Sequence, residues 1–233
     1  MKILFIVTSA ELGYWLPELT RPYWHFTERG HSVTLASPAG GAVRHDRLSN
    51  PHSEGSWEAG CLVSKGFLAD PALAALLEHT APLAGVDPAG YDAVHVVGGT
   101  GAAVDLYPNP EVARLLLALW SAGKVVGAIC HGTIALGNLT TELAGRSVTG
   151  FSLAEDLEAE KLYGKDFIPH YPQPVLEQAG MRFSHVEPWG VRAVVDGELV
   201  TGQNQQSASE YALAFLHALH GANPVINLNK ESA

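Results

Sequence analysis

The stretch KVVGAICHGTIAL, Lys124 to Leu136, decides how the whole chain is read. Its first half is a run of β-branched and small residues of the kind that fills a strand buried on both faces. Its second half reads as a helix entered through a tight turn, with Cys130 at the junction. A strand–turn–helix junction of this kind lifts a side chain above the carboxyl edge of a sheet, where open α/β sheets place their ligands. The first amides of the following helix converge on the same point and favour a thiolate or a developing oxyanion. Gly127, Ala128 and Gly132 are small, as close strand–helix packing requires. A free cysteine amid Val, Ile and Leu is also a common core residue. The local pattern leaves both readings open.

Working outward, KILFIVT (Lys2 to Thr8), SVTLASP (Ser32 to Pro38) and AVHVVGG (Ala93 to Gly99) are further strand-like runs, separated mostly by helical periodicity. That alternation predicts an α/β fold with a parallel sheet covered on both faces. PELTRPYWHFTERG predicts a helix ending at Gly30, with Leu19, Tyr23, Phe26 and Trp24 on its apolar side and Pro22 starting or kinking it. PNPEVARLLLALWSAGK predicts a second helix delivering the chain to the Cys130 strand. Asp196-Gly197 between two apolar runs signals a tight hairpin, and SASEYALAFLHALH a closing amphipathic helix. Ala42 to Gly60 and Phe151 to Pro174 are polar or charged and Gly/Pro-punctuated, and are expected at the rim of a site as insertions or lids.

Composition narrows the function. In a chain of 233 residues, apolar residues make up 47% and charged residues 16%, which is material for one large buried sheet rather than a disordered chain. The reading is a single domain over residues 1–233. With a net charge of −10 and no Lys/Arg run, no nucleic-acid partner is expected. The opening MKILFIVT is too short an apolar run for a signal peptide or membrane span, and two cysteines make no disulfide framework. A reducing, cytoplasmic location without membrane attachment is the expectation.

The second glycine-rich strand end, VVGGTGAAVDL, supplies a neighbouring turn at Gly98 and Gly99 that can present an amide to the Cys130 elbow. Alone it could be a phosphate loop, but it lacks the dinucleotide fingerprint. Taken together, PELTRPYWHF, VVGGTG, AICHG, VTGFSLAED and VVDGELVTGQNQQSA resemble, in this order, the ThiJ/PfpI superfamily. Within it the pattern is most similar to the glutathione-independent glyoxalase III branch, which includes heat-inducible chaperone-like members. The resemblance implies a flavodoxin-like, doubly wound, mostly parallel sheet with a nucleophile elbow. It makes Cys130 the nucleophile and His131 its adjacent imidazole, with Glu18 facing the thiol. Gly99 and the His131 amide would form an oxyanion site beside Gly98. A third acid is expected after TGF, at Asp156 or at Glu155. Thr100 and Thr133 stand where the family pattern often has histidine and proline, and both are expected to border the pocket.

Several residues carry an ordinary reading beside the functional one. Glu18 alone would be a solvated helix glutamate. Cys61, without a basic neighbour in sequence, reads as structural, and Trp189 as packing, with pocket lining as the alternative. His217 and His220 share a helix face but lack a third ligand, and no metal is expected. The implied activity is a lyase of the lactate dehydratase type that turns methylglyoxal or a related 2-oxoaldehyde into a 2-hydroxy acid through a Cys130 hemithioacetal. No metal, nucleotide or thiol cofactor enters that scheme, and a homodimer is expected. The alternatives are a stress-response holdase, a redox sensor, or a cysteine peptidase or amidohydrolase. A glutamine amidotransferase would need a late His-Glu pair, which HALHGANPV does not offer.

Overall fold

A computed structural model describes residues 1–221. Its strands are β1 (Lys2–Ile6), β2 (Ser32–Ser37), β3 (Ala81–Pro82), β4 (Ala93–Val96), β5 (Val125–Ile129), β6 (Ser147–Val148), β7 (Arg182–Phe183), β8 (Ala193–Asp196) and β9 (Leu199–Gly202). Seven form one sheet in the order β3-β2-β1-β4-β5-β9-β8, while β6 and β7 pair separately. Every pairing in the large sheet is parallel except β8 with β9, the hairpin that turns through Gly197. With the edge strands set aside, β2-β1-β4-β5-β9 is the 2-1-3-4-5 order of a flavodoxin-like doubly wound sheet. Its strand order reverses between β1 and β4, so a crevice opens there beyond the carboxyl edge.

The helices are α1 (Leu16–Thr27), α2 (Leu62–Ala69), α3 (Pro71–Leu76), α4 (Ala102–Asp105), α5 (Pro110–Ser121), α6 (Leu153–Tyr163), α7 (Pro172–Gln178) and α8 (Ala208–His220). Strand alternation sorts β1 between two cores: Ile3 and Phe5 pack with Leu19 and Phe26 of α1 and Phe215 of α8, while Leu4 and Ile6 pack with Val112, Leu115 and Leu119 of α5. Burying each such side chain contributes about 1.5–3 kcal/mol before the entropy of ordering it. Gly127 admits α8 to the sheet, since a Cβ there would meet the Phe215 ring at 2.5 Å.

Two local expectations need correction. α1 starts at Leu16, so Pro22 lies inside the helix rather than at its start, and Trp24 is 55% exposed rather than on the apolar side. The chain after Cys130 winds as a 3₁₀ helix, Cys130–Asn138, instead of an α-helix. The Cys130 carbonyl accepts from the Thr133 hydroxyl at 2.7 Å and from Phe151 N–H at 3.4 Å, bonds that compete with regular α-helical pairing. Among the described residues, no helix is long and apolar enough to cross a membrane.

Candidate active site

Cys130 follows the last residue of β5 with φ of +57°, a left-handed conformation that costs a non-glycine residue of order 1 kcal/mol or more. That backbone holds its side chain above the carboxyl edge beside the crevice. The neighbouring turn needs two glycines. At Gly98 a Cβ would lie 2.5 Å from the Ile129 carbonyl and collide with Glu18 Oε2, and Gly99, at φ +99°, would collide with the Trp15 amide. Their absence of side chains lets the Gly99 and His131 N–H groups reach Cys130 Sγ and favour its thiolate.

Glu18 enters from the other side of the switch point. Trp15 N–H donates to the Gly98 carbonyl at 3.1 Å, and Leu16 N–H to Ser49 Oγ at 3.0 Å, which pins the start of α1 over the glycine turn. Glu18, in the first turn, is completely buried rather than solvated. Burial raises its pKa from 4.5 to about 8, and the charge of Glu58 adds to this. The Cys130 thiol and the Gly98 N–H lie close enough to pull that value down somewhat, yet neither carboxyl oxygen has a hydrogen bond of good geometry. Burial and Glu18 together push the Cys130 thiol well up, against the pull of the two amides. The expected thiol lowered by an imidazole and a helix end is therefore replaced by a coupled thiol–carboxyl pair that retains a proton through neutral pH.

His131 Nε2 donates to Asp156 Oδ1 at 2.9 Å, which turns Nδ1 toward Cys130 Sγ at 3.5 Å. Burial raises the Asp156 pKa, opposed by the charge and hydrogen bond of His131, and its Oδ2 is left without a partner. Glu155 faces elsewhere. Its Oε2 accepts from Ser152 N–H and Oγ and from Gln203 Nε2, while Oε1 accepts from Trp189 N–H and Asn204 Nδ2. The two neighbouring acids thus separate into one on the imidazole and one that ties three loops together.

Aromatic side chains close the site. Trp15, Trp57, Phe151, Tyr163 and Trp189 surround Cys130, His131, Gly99 and Thr100 in a cavity of about 360 Å³ counted with its open mouth. Trp189 lines the cavity, with φ of +65°, and its indole N–H donates to Glu158 at 2.7 Å. Both of its readings hold, since it lines the cavity and also packs against the apolar core. Thr100 lines the cavity as expected, whereas Thr133 bonds the Cys130 carbonyl and does not line this cavity. The two rim segments do meet: Tyr163 Oη donates to Asp46 Oδ2 at 3.1 Å. Trp15, Trp57, Tyr163, Ala159 and Gln205 were not singled out by sequence. Trp57 reaches the cavity from a loop, Ala159 and Tyr163 from α6 and Gln205 from the turn before α8, a convergence no local pattern announces.

Cys61 is buried, donates to Ser64 Oγ at 3.3 Å and lies 3.9 Å from an Arg21 guanidinium nitrogen, a basic neighbour its sequence context does not show. His220 Nε2 lies 3.1 Å from His31 Nε2. The end of HALHGANPV, residues 222–225, lies outside the described residues.

Comparison with known proteins agrees with this architecture. The model of the DJ-1/PfpI family matches residues 1–218. The Candida albicans protein named Glyoxalase 3 is 28% identical over 91% of this chain and 95% of its own length. The crystal structure of glyoxalase III from Candida albicans superposes with a TM-score of 0.80 at 25% identity, covering 96% of this chain and 98% of the other. The structure of Rapid Encystment Protein from Francisella tularensis gives a TM-score of 0.83 at 29% identity, covering 94% and 98%. A bovine glutamine amidotransferase-like class 1 domain-containing protein is 36% identical, but over 54% of this chain and 59% of its own length.

Proposed function

The chain belongs to the DJ-1/PfpI family, and from that premise we propose that it is a glutathione-independent glyoxalase converting methylglyoxal or a related 2-oxoaldehyde into a 2-hydroxy acid. The observation that carries this reading is the buried Glu18 carboxyl held against Cys130 at the floor of a small aromatic cavity.

The reaction follows from that pairing. The Cys130 sulfur adds to the aldehyde carbon and its proton passes to Glu18, leaving a hemithioacetal whose oxygen is met by the Gly99 and His131 N–H groups. A base then removes the proton from the former aldehyde carbon, and its return to the adjacent carbon through an enediol leaves a thioester. Glu18 and His131 Nδ1 are the two groups placed for that transfer, and a carboxyl with pKa near 8 both gives and takes a proton at neutral pH. Asp156 orients the imidazole. Water hydrolyses the thioester and restores the thiol, so methylglyoxal plus water becomes lactate, with no change in overall oxidation state and no cofactor required. This is the lactate dehydratase type of lyase run toward the acid.

The cavity is too closed for a peptide. Trp57, Tyr163 and Trp189 cover the thiol where a peptidase would need an extended cleft. The test is incubation with methylglyoxal in the absence of glutathione, followed by chiral detection of lactate. Cys130→Ala should abolish lactate formation and Cys61→Ala should preserve it; lactate formed equally by a folded Cys130→Ala protein would end this reading.

A further inference from the structure

Pro22 sits inside α1 and has no N–H, so the carbonyl four residues earlier, that of Glu18, has no α-helical donor. A proline ring inside a helix also crowds the carbonyl four residues before it. A buried carbonyl left unpaired costs about 1–3 kcal/mol. The structure fills the gap from the sheet: His95, at the centre of β4, brings Nε2 to 2.9 Å from the Glu18 oxygen. A carbonyl only accepts, so Nε2 carries the proton and Nδ1 is left as an acceptor. Tyr211 of α8 places its hydroxyl 2.8 Å from that Nδ1 and donates to it. Three elements, α8, β4 and α1, are thus joined in one directional chain, Tyr211 to His95 to Glu18. All three residues are fully buried.

We propose that His95 is a positioning residue that holds Glu18 against Cys130 by supplying the hydrogen bond Pro22 cannot. Its ring is clamped for that task, edge-on to Phe5 at 4.6 Å between centroids and beside Tyr211 at 5.3 Å. Burial lowers the His95 pKa to about 4, so the imidazole stays neutral and the proton stays on Nε2 across the working range. The hydroxyl of Tyr211, pushed well above its ordinary pKa by burial, remains a donor. The Glu18 carboxyl itself lacks good hydrogen bonds, so it is placed through its main chain, where Glu18 N–H bonds the Trp15 carbonyl at 3.0 Å and the Glu18 carbonyl takes the His95 bond. The titratable and charged groups that face the carboxyl are Cys130 from the elbow, Glu58 from the rim loop and Arg21 from α1, with the Gly98 N–H beside them.

This inference rests on Glu18 acting on Cys130, and its test separates the two ideas. His95→Phe keeps the ring and removes the donor. His95→Gln keeps an amide donor. Pro22→Ala restores an N–H that can bond the Glu18 carbonyl within the helix, so the double variant His95→Phe/Pro22→Ala should recover what His95→Phe loses. Two measurements are made on each folded protein: Cys130 alkylation by iodoacetamide against pH, and methylglyoxal turnover. A freed carboxyl repels the thiolate less, so His95→Phe should move the alkylation midpoint down by about half a pH unit or more. Its kcat should fall about 10–10²-fold with KM little changed, as misplacement of a reacting group by an ångström does. Gln, or the added Pro22→Ala change, should restore both. An unchanged midpoint and kcat in His95→Phe, or no recovery in the double variant, overturns the proposal. Should His95→Phe fail to fold, Tyr211→Phe replaces it: loss of the hydroxyl unfixes the imidazole and should shift the midpoint in the same direction, and no shift overturns the proposal. The alkylation profile needs no substrate, so the tether survives if the wild type makes no lactate, and the glyoxalase reading survives if the tether fails.

Discussion

Glu18 and Cys130 come together across a residue with no side chain: a Cβ at Gly98 would collide with Glu18 Oε2 and lie 2.7 Å from Cys130 Cβ. The contact that supports the chemistry exists because position 98 is empty, and the same glycine binds the start of α1 through its carbonyl.

Gly98→Ala should therefore act on both properties at once. The methyl group also meets the Ile129 carbonyl, 2.5 Å away, which is main chain and cannot swing aside. Overpacking of this kind costs about 1–3 kcal/mol, and a displaced carboxyl should lower turnover about 10²-fold or more. Urea unfolding and lactate formation measure the two effects. Full activity in a destabilised protein would show that the close approach of Glu18 is not needed.

The neighbouring acids Asp156 and Glu155 should separate cleanly. Asp156→Asn disturbs a single bond to His131 and should leave stability nearly unchanged, while turnover falls by roughly 10²–10⁴. Glu155→Gln puts an amide among five donors on Ser152, Gln203, Asn204 and Trp189. Loss of charged hydrogen bonds there should destabilise the fold by about 1.5–3 kcal/mol or more. Equal loss of stability in both variants would contradict the division of roles.

Much of this architecture is legible in the sequence. The four strand runs around Lys2, Ser32, Ala93 and Lys124 lie where their alternation puts them, because strands buried on both faces carry an uninterrupted apolar signal. Ser152-Leu-Ala-Glu155 carries a capping-box spacing, and the structure forms that box, a signal that could have assigned Glu155 to structure and left Asp156 for the imidazole. The cavity wall is legible only as two rim segments, Ala42 to Gly60 and Phe151 to Pro174, with Thr100 and the alternative at Trp189, and not as a set of facing rings. Trp15, Trp57 and Trp189 lie far apart in the chain, and only the packing of separate loops brings their rings within about 6 Å, at 5.9 and 6.0 Å between centroids. Trp24, by contrast, fits the apolar spacing of α1 and lies outside, since helical periodicity does not say how wide a stripe the neighbours cover.

Stability should depend on pH in opposite senses through Glu18 and His95. Burial raises the Glu18 pKa from 4.5 to about 8, so the folded protein holds that proton more tightly than the unfolded chain. The resulting stability is whole below about pH 4.5 and is lost as pH rises to about 8. His95, lowered from 6.5 to about 4, contributes fully above 6.5 and loses its contribution as pH falls to about 4. Glu18→Gln cannot ionise, so its advantage over the wild type should grow between pH 5 and 8. Urea midpoints at pH 5, 6.5 and 8 read this directly, and parallel curves for the two proteins would mean that Glu18 ionises without strain.

The aromatic wall should decide which aldehydes are accepted. Beyond His131 and the thiol, the cavity is lined by aromatic rings, Ala159, Gly99 and the neutral side chains of Thr100 and Gln205, so it offers no cation to a phosphate or carboxylate on the substrate. An apolar substituent beside the dicarbonyl is what it can hold. Trp57 stands at the mouth, 47% exposed, with its ring against both Trp15 and Trp189. Trp57→Ala should leave the Cys130, Glu18 and His131 geometry in place while widening the entrance. The ratio of kcat/KM for phenylglyoxal to that for methylglyoxal should then rise about 10-fold, within the 1–3 kcal/mol that apolar pocket contacts discriminate. Methylglyoxal itself should show a higher KM with kcat nearly unchanged, because uniform binding is lost rather than a contact made in the transition state. An unchanged ratio would mean that Trp57 shields the site from water without selecting its substrate, and selection would then fall to Trp15, Phe151 and Trp189 around the thiol.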